Sequence, residues 1–260
     1  MIDTAFFRKN GFQYLRGAIS AKSISAMRNF LVAEKQTALD MIEQQTGLRD
    51  EKELVAKMKP LLLDPSTDAR LASVLRGEFH LQARLNPILQ CICNEPELLA
   101  VLTDLFEHKP LRMHMPPMAR FVFPQNDQAA VPPHNDLNFN AHLEEFVIAW
   151  MPLVPTNEQC GGLGIYEGLF QDPNMKAYDP TSVWDQVLPV HGITPTQQPM
   201  QPGDVLLMSS KIVHCSLPNH ADLTRYSVDY RFFAAPARST KHYLNLTSGE
   251  VVAPAAVQST

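Results

Sequence analysis

From about Leu111 onward the chain consists of short apolar or alternating runs separated by Pro, Asn, Asp and Gly, and this pattern limits the possible folds most strongly. The clearest runs are MARFVFP, FVIAWMPLV, LGIYEG, DVLLMSSKIVH and RYSVDYRFF. Apolar runs of this length bounded by turn residues predict β-strands, and many short strands in succession are typical of a sandwich or barrel. We therefore predict a β-rich core over residues 111–247.

The first hundred or so residues have a helical pattern instead. Ser20 is a predicted N-cap, and apolar residues then recur at every third or fourth position up to Gly47. Further helices are predicted from about residue 50 to 59, after Ser66 and over residues 95–107. Residues 1–110 are thus a predicted helical flank and residues 248–260 a loosely ordered tail of one domain.

Composition excludes some classes of partner. The 260 residues have a formal net charge of -5, which creates no basic field for a phosphate backbone, so we expect no nucleic-acid binding. The opening MIDTAFFRKNGF lacks the apolar segment of a signal peptide, and no apolar run approaches the roughly 20 residues that span a bilayer. Four cysteines are few, and Cys91 and Cys93 are too close for a disulfide framework. These features predict a cytoplasmic protein without a membrane partner.

The segment PPHNDLNFN places His134 and Asp136 two residues apart in a predicted strand, where their side chains would share one face. About eighty residues later, His214 lies at the far end of a strand predicted to follow the Gly203-Asp204 turn. Two histidines and one carboxylate, with coordination positions left open, are the ligands of non-haem Fe(II) oxygenases. The sequence therefore predicts a metal site formed by these three side chains.

Other residues offer alternative ligands or chemistry. His142 with Glu144 and His220 with Asp222 repeat the spacing, but both pairs lie in polar segments, and PNHAD indicates a turn. His191, in the Pro/Gly-rich PVHGIT, competes for the place of the third ligand. A Cys215-His214 nucleophile is disfavoured, because neighbours on a strand point to opposite faces.

The run RYSVDYRF alternates polar and apolar residues. Arg225, Ser227, Asp229 and Arg231 would share one face, with Tyr226, Val228, Tyr230 and Phe232 on the other. The polar face is either exposed to solvent or lines a cavity. In a cavity, the Arg225 guanidinium could bind the distal carboxylate of a dicarboxylic cosubstrate in bidentate fashion, with Ser216 as a further donor.

With these motifs, most of the chain resembles the phytanoyl-CoA dioxygenase family of Fe(II)- and 2-oxoglutarate-dependent oxygenases. The resemblance is carried by GFQYLRGAIS before a helix, by His134-Asn135-Asp136, by PTNEQCGGLGIYEG and by GDVLLMSSKIVHCSLPNHADLTRYS. The last segment is the most specific, because a serine follows its histidine by two residues and an arginine by eleven.

The resemblance implies a double-stranded β-helix (jelly-roll, cupin-like) core with flanking helices. It implies that His134, Asp136 and His214 hold Fe(II) and that Arg225 with Ser216 binds the far carboxylate of 2-oxoglutarate. With O2, such a site hydroxylates a small molecule and releases succinate and CO2. The presence of Asp136 favours a hydroxylase or related oxidase, because halogenases of the family lack this carboxylate.

The chain departs from the family pattern after its central strand. Where many members have Pro-Gly-Ser-His, it has Glu167-Gly168-Leu169-Phe170, so the resemblance does not carry over a substrate. The pattern-poor interval 171–200 is a predicted lid or substrate loop. Asp229, Arg231 and Arg120 are predicted substrate contacts, and their charges favour a small polar metabolite.

Two other interpretations remain open at this level. One is a non-catalytic jelly-roll binding module that retains ligand-like residues. The other is a cupin-like metalloenzyme that needs no 2-oxoglutarate.

Overall fold

The computed structural model describes residues 2–140, 143, 145–171, 184, 188 and 192–254. The predicted alternatives His142, Glu144 and His191, and most of the predicted lid at 171–200, lie outside this part of the chain.

The described part of the N-terminal region is helical. Its helices are α1 (Thr4–Asn10), α2 (Ala21–Thr46), α3 (Glu51–Leu63), α4 (Ala69–Leu75), α5 (Leu81–Arg84), a 3-10 helix (Pro87–Asn94) and α6 (Pro96–Leu105). Helix α2 begins and ends as the sequence predicts. The Ser20 hydroxyl accepts from the Ser23 amide, and Gly47, at a φ of 73°, donates its amide to the Glu43 carbonyl. The short helices α1 and α5 and the 3-10 helix Pro87–Asn94 were not predicted.

Ten strands are found in the described residues, and their pairings are antiparallel. They are β1 (Phe12–Leu15), β2 (Leu111–His114), β3 (Met118–Val122), β4 (Val147–Pro152), β5 (Leu163–Ile165), β6 (Val205–Ser209), β7 (His214–Ser216), β8 (Arg225–Ala234), β9 (Tyr243–Asn245) and β10 (Val251–Val252). The main sheet has the order β1-β6-β4-β8-β2-β9-β10, and β3 also pairs with β8. Strands β5 and β7 form a second, two-stranded sheet.

Strand β8 separates the core from an interior cavity. Tyr226, Val228, Tyr230 and Phe232 belong to the large apolar cluster that also contains the buried side chains of the N-terminal helices. The Tyr230 hydroxyl donates to the Leu89 carbonyl at 2.7 Å, which links the strand to the 3-10 helix. A second cluster, with Ile148, Trp150, Met208 and Ile165, lies on the other side of the main sheet, next to β5. The predicted β core with a helical flank is therefore observed.

Three local predictions were wrong. His134 does not lie in a strand but in an isolated bridge, and Asp136 begins a 3-10 helix, Asp136–Phe139. Pro132 and Pro133 have no amide hydrogen to donate, so a regular ladder cannot form there. The strand before His214 ends at Ser209, and after a turn His214 begins β7 of the second sheet. In the predicted loose tail, Val251 and Val252 pair with β9. The single-domain organisation stays a prediction.

Within the described residues, no helix is both long enough and apolar enough to cross a membrane.

Asp204 links the turn after β1 to the turn before β6. It is buried, and its carboxylate accepts from the amides of Gln201 (2.8 Å) and Gly17 (2.9 Å) and from Arg16 Nη1 (2.8 Å). Burial raises the pKa of this carboxyl, but the two amides and the Arg16 guanidinium outweigh burial, so its pKa is lowered. Asp204 therefore stabilises the fold as an ionised group.

We expect Asp204→Asn to lower the free energy of unfolding by about 1–3 kcal/mol, because one carboxylate oxygen is replaced by an amide nitrogen that faces donors. Urea unfolding at pH 7 measures this, with exposed Asp222→Asn as the control. Because the folded-state pKa is lowered, the stabilisation is complete above the unfolded-state pKa and is lost as pH falls through the folded-state value. The gap between the wild type and the variant should thus shrink towards pH 3, and equal stability at pH 7 would contradict this role.

Candidate functional site

The two predicted histidine ligands face each other across a backbone bridge. The His134 amide donates to the His214 carbonyl at 3.0 Å, and the His214 amide donates to the His134 carbonyl at 2.9 Å. Residues directly opposite each other in an antiparallel pair point to the same face. The imidazole centroids are accordingly only 4.3 Å apart, and both side chains are buried.

Both imidazoles are oriented by backbone carbonyls. His134 Nδ1 lies 2.8 Å from the Pro132 carbonyl oxygen, and His214 Nδ1 lies 3.2 Å from that of Ile212. A carbonyl can only accept, so each Nδ1 carries the proton and each Nε2 keeps its lone pair in the neutral ring. Burial, followed by the nearby His134, lowers the pKa of His214 to about 4. At neutral pH His214 is thus uncharged, as a metal-binding imidazole must be.

The predicted carboxylate ligand, Asp136, is buried beside an arginine. Arg231 Nη2 lies 3.2 Å from Asp136 Oδ1 and 3.3 Å from Oδ2, while Arg231 Nη1 donates to Asp229 Oδ1 at 2.8 Å. Burial raises the pKa of Asp136, but Arg231 and then the imidazoles of His214 and His134 outweigh it, so its pKa is lowered. Asp136 is therefore ionised at neutral pH.

A single cavity of about 100 Å³ brings all eight predicted site residues together. Its polar lining consists of His134, Asp136, His214, Ser216, Arg225, Ser227, Asp229, Arg231 and Arg120, and its apolar lining of Met118, Val131, Ile148, Trp150, Leu163 and Met208. The polar face of β8 thus lines a cavity and is not a solvent-exposed surface.

The side chains of His134, Asp136 and His214 are of the types that bind a divalent metal ion. In this structure, however, their ligand atoms do not surround one common point. Two neutral imidazoles and one carboxylate are the ligands of a facial triad. Among the residues that the structure describes, however, no group of three or more His, Cys, Asp or Glu side chains has the arrangement of a metal site. Both oxygens of Asp136 contact Arg231 in this arrangement.

Arg225 is a buried cation held by carbonyls. Its Nη1 donates to the carbonyl oxygens of Gly161, Gly162 (3.3 Å) and Leu217 (3.1 Å). No carboxylate in the described part of the chain lies within ion-pair distance of it. Burial, and then the like charge of Arg120, lowers the pKa of Arg225 to about 10, so it remains charged at neutral pH. A carboxylate is the kind of partner that would neutralise such a buried cation.

The contact with Arg225 depends on a glycine that the sequence analysis did not single out. A Cβ on Gly161 would lie 2.4 Å from the Pro218 carbonyl oxygen, so only glycine allows this close approach. The consecutive glycines of CGGLG were the available signal.

Arg120, on β3, is a second buried guanidinium in the cavity. Its Nη2 donates to the carbonyls of Arg76 (2.9 Å) and Ala129 (3.0 Å), and none of the described carboxylates is within ion-pair distance. Burial lowers its pKa. The cavity therefore contains two cations that lie beyond ion-pair distance of every carboxylate among the described residues, although Glu78 and Asp229 are close enough to Arg120 to oppose the effect of burial on its pKa.

The described alternatives to the triad lie elsewhere. Cys215 is buried in a separate apolar cluster with Val213, on the face opposite to His214. His220 is exposed in an irregular segment, and its Nδ1 lies 3.2 Å from Gln125 Oε1. Neither group lines the cavity.

The segment that departs from the family pattern is held by apolar packing. Gly168 adopts a φ of 86°, and Leu169 is buried. The Phe170 ring lies over Gly11, where an added Cβ would come within 2.4 Å of it. This packing attaches the segment to the end of α1.

Comparison with known proteins identifies the family. The model of the phytanoyl-CoA dioxygenase (PhyH) family matches residues 7–227. The chain belongs to this family. It is therefore an Fe(II)- and 2-oxoglutarate-dependent dioxygenase that acts on small-molecule substrates, as the resemblance implied.

Individual relatives are distant. The 1-deoxypentalenic acid 11-beta-hydroxylase of Streptomyces arenae is 25% identical over 227 residues, which cover 82% of this chain and 73% of that protein. Among solved structures, the carbocyclase SnoK from nogalamycin biosynthesis has a TM-score of 0.60 at 16% identity, covering 91% of this chain and 84% of its own. The epimerase SnoN, in complex with Fe3+, alpha ketoglutarate and nogalamycin RO, has a TM-score of 0.58 at 15% identity with the same coverage. These likenesses confirm the predicted jelly-roll fold.

The lowered pKa of His214 predicts an acid-sensitive metal-free protein. Because the pKa falls from about 6.5 in the unfolded chain to about 4 in the folded one, the unfolded chain takes up the proton first as pH falls. The contribution of the neutral, buried His214 ring to the free energy of unfolding is complete above pH 6.5 and declines towards pH 4. At pH 5 about 2 kcal/mol of this contribution is lost.

Urea unfolding of the metal-free protein at pH 7 and pH 5 measures this decline. His214→Gln should remove about 2 kcal/mol of the pH dependence, whereas exposed His220→Gln should leave it unchanged. The same pH dependence in the wild type and His214→Gln would show that His214 titrates normally.

Proposed function

We propose that the protein hydroxylates a C–H bond of a small, polar metabolite and releases succinate and CO2 from 2-oxoglutarate. The observation that supports this best is the content of one cavity: two imidazoles and a carboxylate together with the buried Arg225, which has no carboxylate partner among the described residues. Similarity to the hydroxylase from Streptomyces arenae supports hydroxylation, in preference to other oxidations, as the reaction of this protein.

In this proposal His134, Asp136 and His214 hold Fe(II). When bound, the iron with 2-oxoglutarate and O2 supplies the oxidant for the substrate C–H bond. The residues prepare the site in three ways. The Pro132 and Ile212 carbonyls orient the imidazoles, burial keeps His214 neutral, and Arg231 keeps Asp136 ionised.

Arg225 and Ser216 would bind the far carboxylate of 2-oxoglutarate. Three carbonyls hold Arg225 Nη1 in place, while its Nε has no partner among the described atoms. Ser216 lies two residues after His214 on β7 and lines the same cavity. The far carboxylate would compensate the charge of Arg225.

The apolar lining has a different role. Ile148, Trp150 and Met208 are buried in the cluster next to β5 and form one wall of the cavity. Such a wall limits water near the reacting groups and strengthens the electrostatic interactions inside.

The proposed polarity of the substrate depends on charged residues that already have partners. Asp229 and Arg231 pair with each other, and Arg231 also contacts Asp136. Arg120 is the remaining predicted substrate contact with no carboxylate partner in the described structure, so an anionic group on the substrate is the best match to it. Substrate contact by Asp229, Arg231 and Arg120 stays a prediction.

Loss of one imidazole should abolish the reaction. We expect His214→Ala to eliminate iron-dependent succinate formation from 2-oxoglutarate in a screen of small metabolites, because two protein ligands do not complete the facial triad. His220→Ala, at an exposed histidine, is the control and should retain activity. Continued turnover by His214→Ala would reject the metal assignment.

Loss of the guanidinium should weaken the binding of the cosubstrate. We expect Arg225→Ala to raise the dissociation constant of 2-oxoglutarate roughly tenfold to a hundredfold, since each lost charged hydrogen bond contributes about 1.5–3 kcal/mol. An anaerobic titration of the Fe(II) protein, followed by its visible charge-transfer band, measures this. Exposed Arg238→Ala is the matched control. Unchanged affinity in Arg225→Ala would mean that the distal carboxylate binds elsewhere.

A further inference from the structure

Arg231 joins two carboxylates that lie far apart in the chain. Its Nη1 donates to Asp229 Oδ1 at 2.8 Å, and its Nη2 is shared between the two oxygens of Asp136 at 3.2 and 3.3 Å. Charge-assisted contacts of this kind are usually about 2.7–2.9 Å long. The contact with Asp229 is therefore of ordinary length, whereas the contact with Asp136 is long and can shift towards one oxygen.

The backbone that carries Asp229 and Arg231 is more regularly hydrogen-bonded than the backbone that carries Asp136. Asp229 and Arg231 lie on β8, which is paired along this stretch with β4, while Asp229 also pairs with Met118 of β3. Asp136 begins a short 3-10 helix that follows an isolated bridge, in a segment without a strand ladder. The guanidinium thus connects a carboxylate in an irregular segment to the most extensively paired strand of the sheet.

We infer that Arg231 is a positioning residue that orients the Asp136 carboxylate for the metal ion, by retaining one oxygen at Nη2 while leaving the other free to coordinate. This inference rests on the proposed assignment of Asp136 as a ligand. It also reassigns Arg231, which the sequence predicted as a substrate contact. Asp229 is the partner that fixes the guanidinium from its other side.

Two effects of Arg231 on metal affinity have opposite signs. A guanidinium near a divalent cation repels it, so removal of the charge alone would tighten metal binding. Loss of an outer partner of a metal ligand, by contrast, usually weakens metal binding by about 10- to 100-fold. Asp229 offsets the charge of Arg231 at 2.8 Å, which reduces the repulsion, and we therefore expect positioning to dominate.

Binding of Mn(II) to the full-length metal-free protein tests this without turnover. The electron paramagnetic resonance signal of free Mn(II) gives the dissociation constant in the absence of 2-oxoglutarate. We expect Arg231→Gln to raise that constant 10- to 100-fold. Arg231→Lys should give an intermediate value, because lysine keeps the charge but lacks the planar fork that reaches two carboxylates. Arg112→Gln is the control, since Arg112 donates to the Pro236 and Ala237 carbonyls outside the cavity.

Each outcome decides the inference. Mn(II) binding by Arg231→Gln that is as tight as in the wild type, or tighter, would overturn the inference. If Arg231→Gln does not fold, wild-type Mn(II) affinity in Arg231→Lys would overturn it instead. Weaker binding that lysine partly restores would support it, because a general loss of fold would not be rescued in this way. Thermal unfolding of each metal-free variant checks that the fold is retained.

The variant Asp136→Asn distinguishes a failure of the positioning role of Arg231 from a failure of the proposed metal site. If the wild type fails to bind Mn(II), or if Asp136→Asn binds as tightly as the wild type, the metal site itself is wrong and the role of Arg231 is rejected with it. If Asp136→Asn loses binding while Arg231→Gln retains it, only the positioning role is rejected and the oxygenase proposal stands.

Discussion

The strict alternation of side chains along β8 is the constraint on which both the core and the site depend. Successive residues of a strand point to opposite faces, so the strand supplies Tyr226 and Tyr230 to the helix-facing core and Arg225 and Arg231 to the cavity. A slip of one residue would bury guanidinium groups against the helices and would turn aromatic rings into the cavity. Packing of the N-terminal helices against this strand therefore fixes the register that places the charged side chains of the site.

The charged side chains of the cavity fall into two groups, one beside the proposed metal ligands and one at the proposed binding site for an anion. Arg231 meets carboxylates directly, at the end of the cavity where Asp136 lies. Arg225 and Arg120 are held by backbone carbonyls, which orient a guanidinium through partial charges but do not neutralise it. Even with its pKa lowered to about 10 by burial, Arg225 stays cationic at neutral pH. One region thus holds a compensated network beside the proposed metal ligands, and another keeps positive charge available for an anion.

Residue type and spacing selected side chains that the fold brings into one cavity, while their local structure needed the three-dimensional fold. Proline at 132 and 133 interrupts the ladder, so His134 reaches His214 through a bridge and not through a continuous strand. The contact between Arg231 and Asp136 joins residues 95 apart in sequence, and strand periodicity gives the direction of a side chain but not its partner. The carbonyls that hold Arg225 were equally hidden, because backbone acceptors leave no signature in residue type.

The segment after β5 packs beside the site without supplying any of its charged residues. The segment Glu167-Gly168-Leu169-Phe170 ends in two large apolar residues. Full burial of a side chain of this size contributes about 1.5–3 kcal/mol, and here Leu169 is buried while Phe170 is half-buried. Phe170 lies over Gly11 at the end of α1 and also packs against the apolar cluster that forms one wall of the cavity, so both the N-terminal helix and this wall hold the segment in position. The segment thus connects the N-terminal helix to the apolar wall of the cavity, while none of its four residues is among those proposed to bind iron and 2-oxoglutarate.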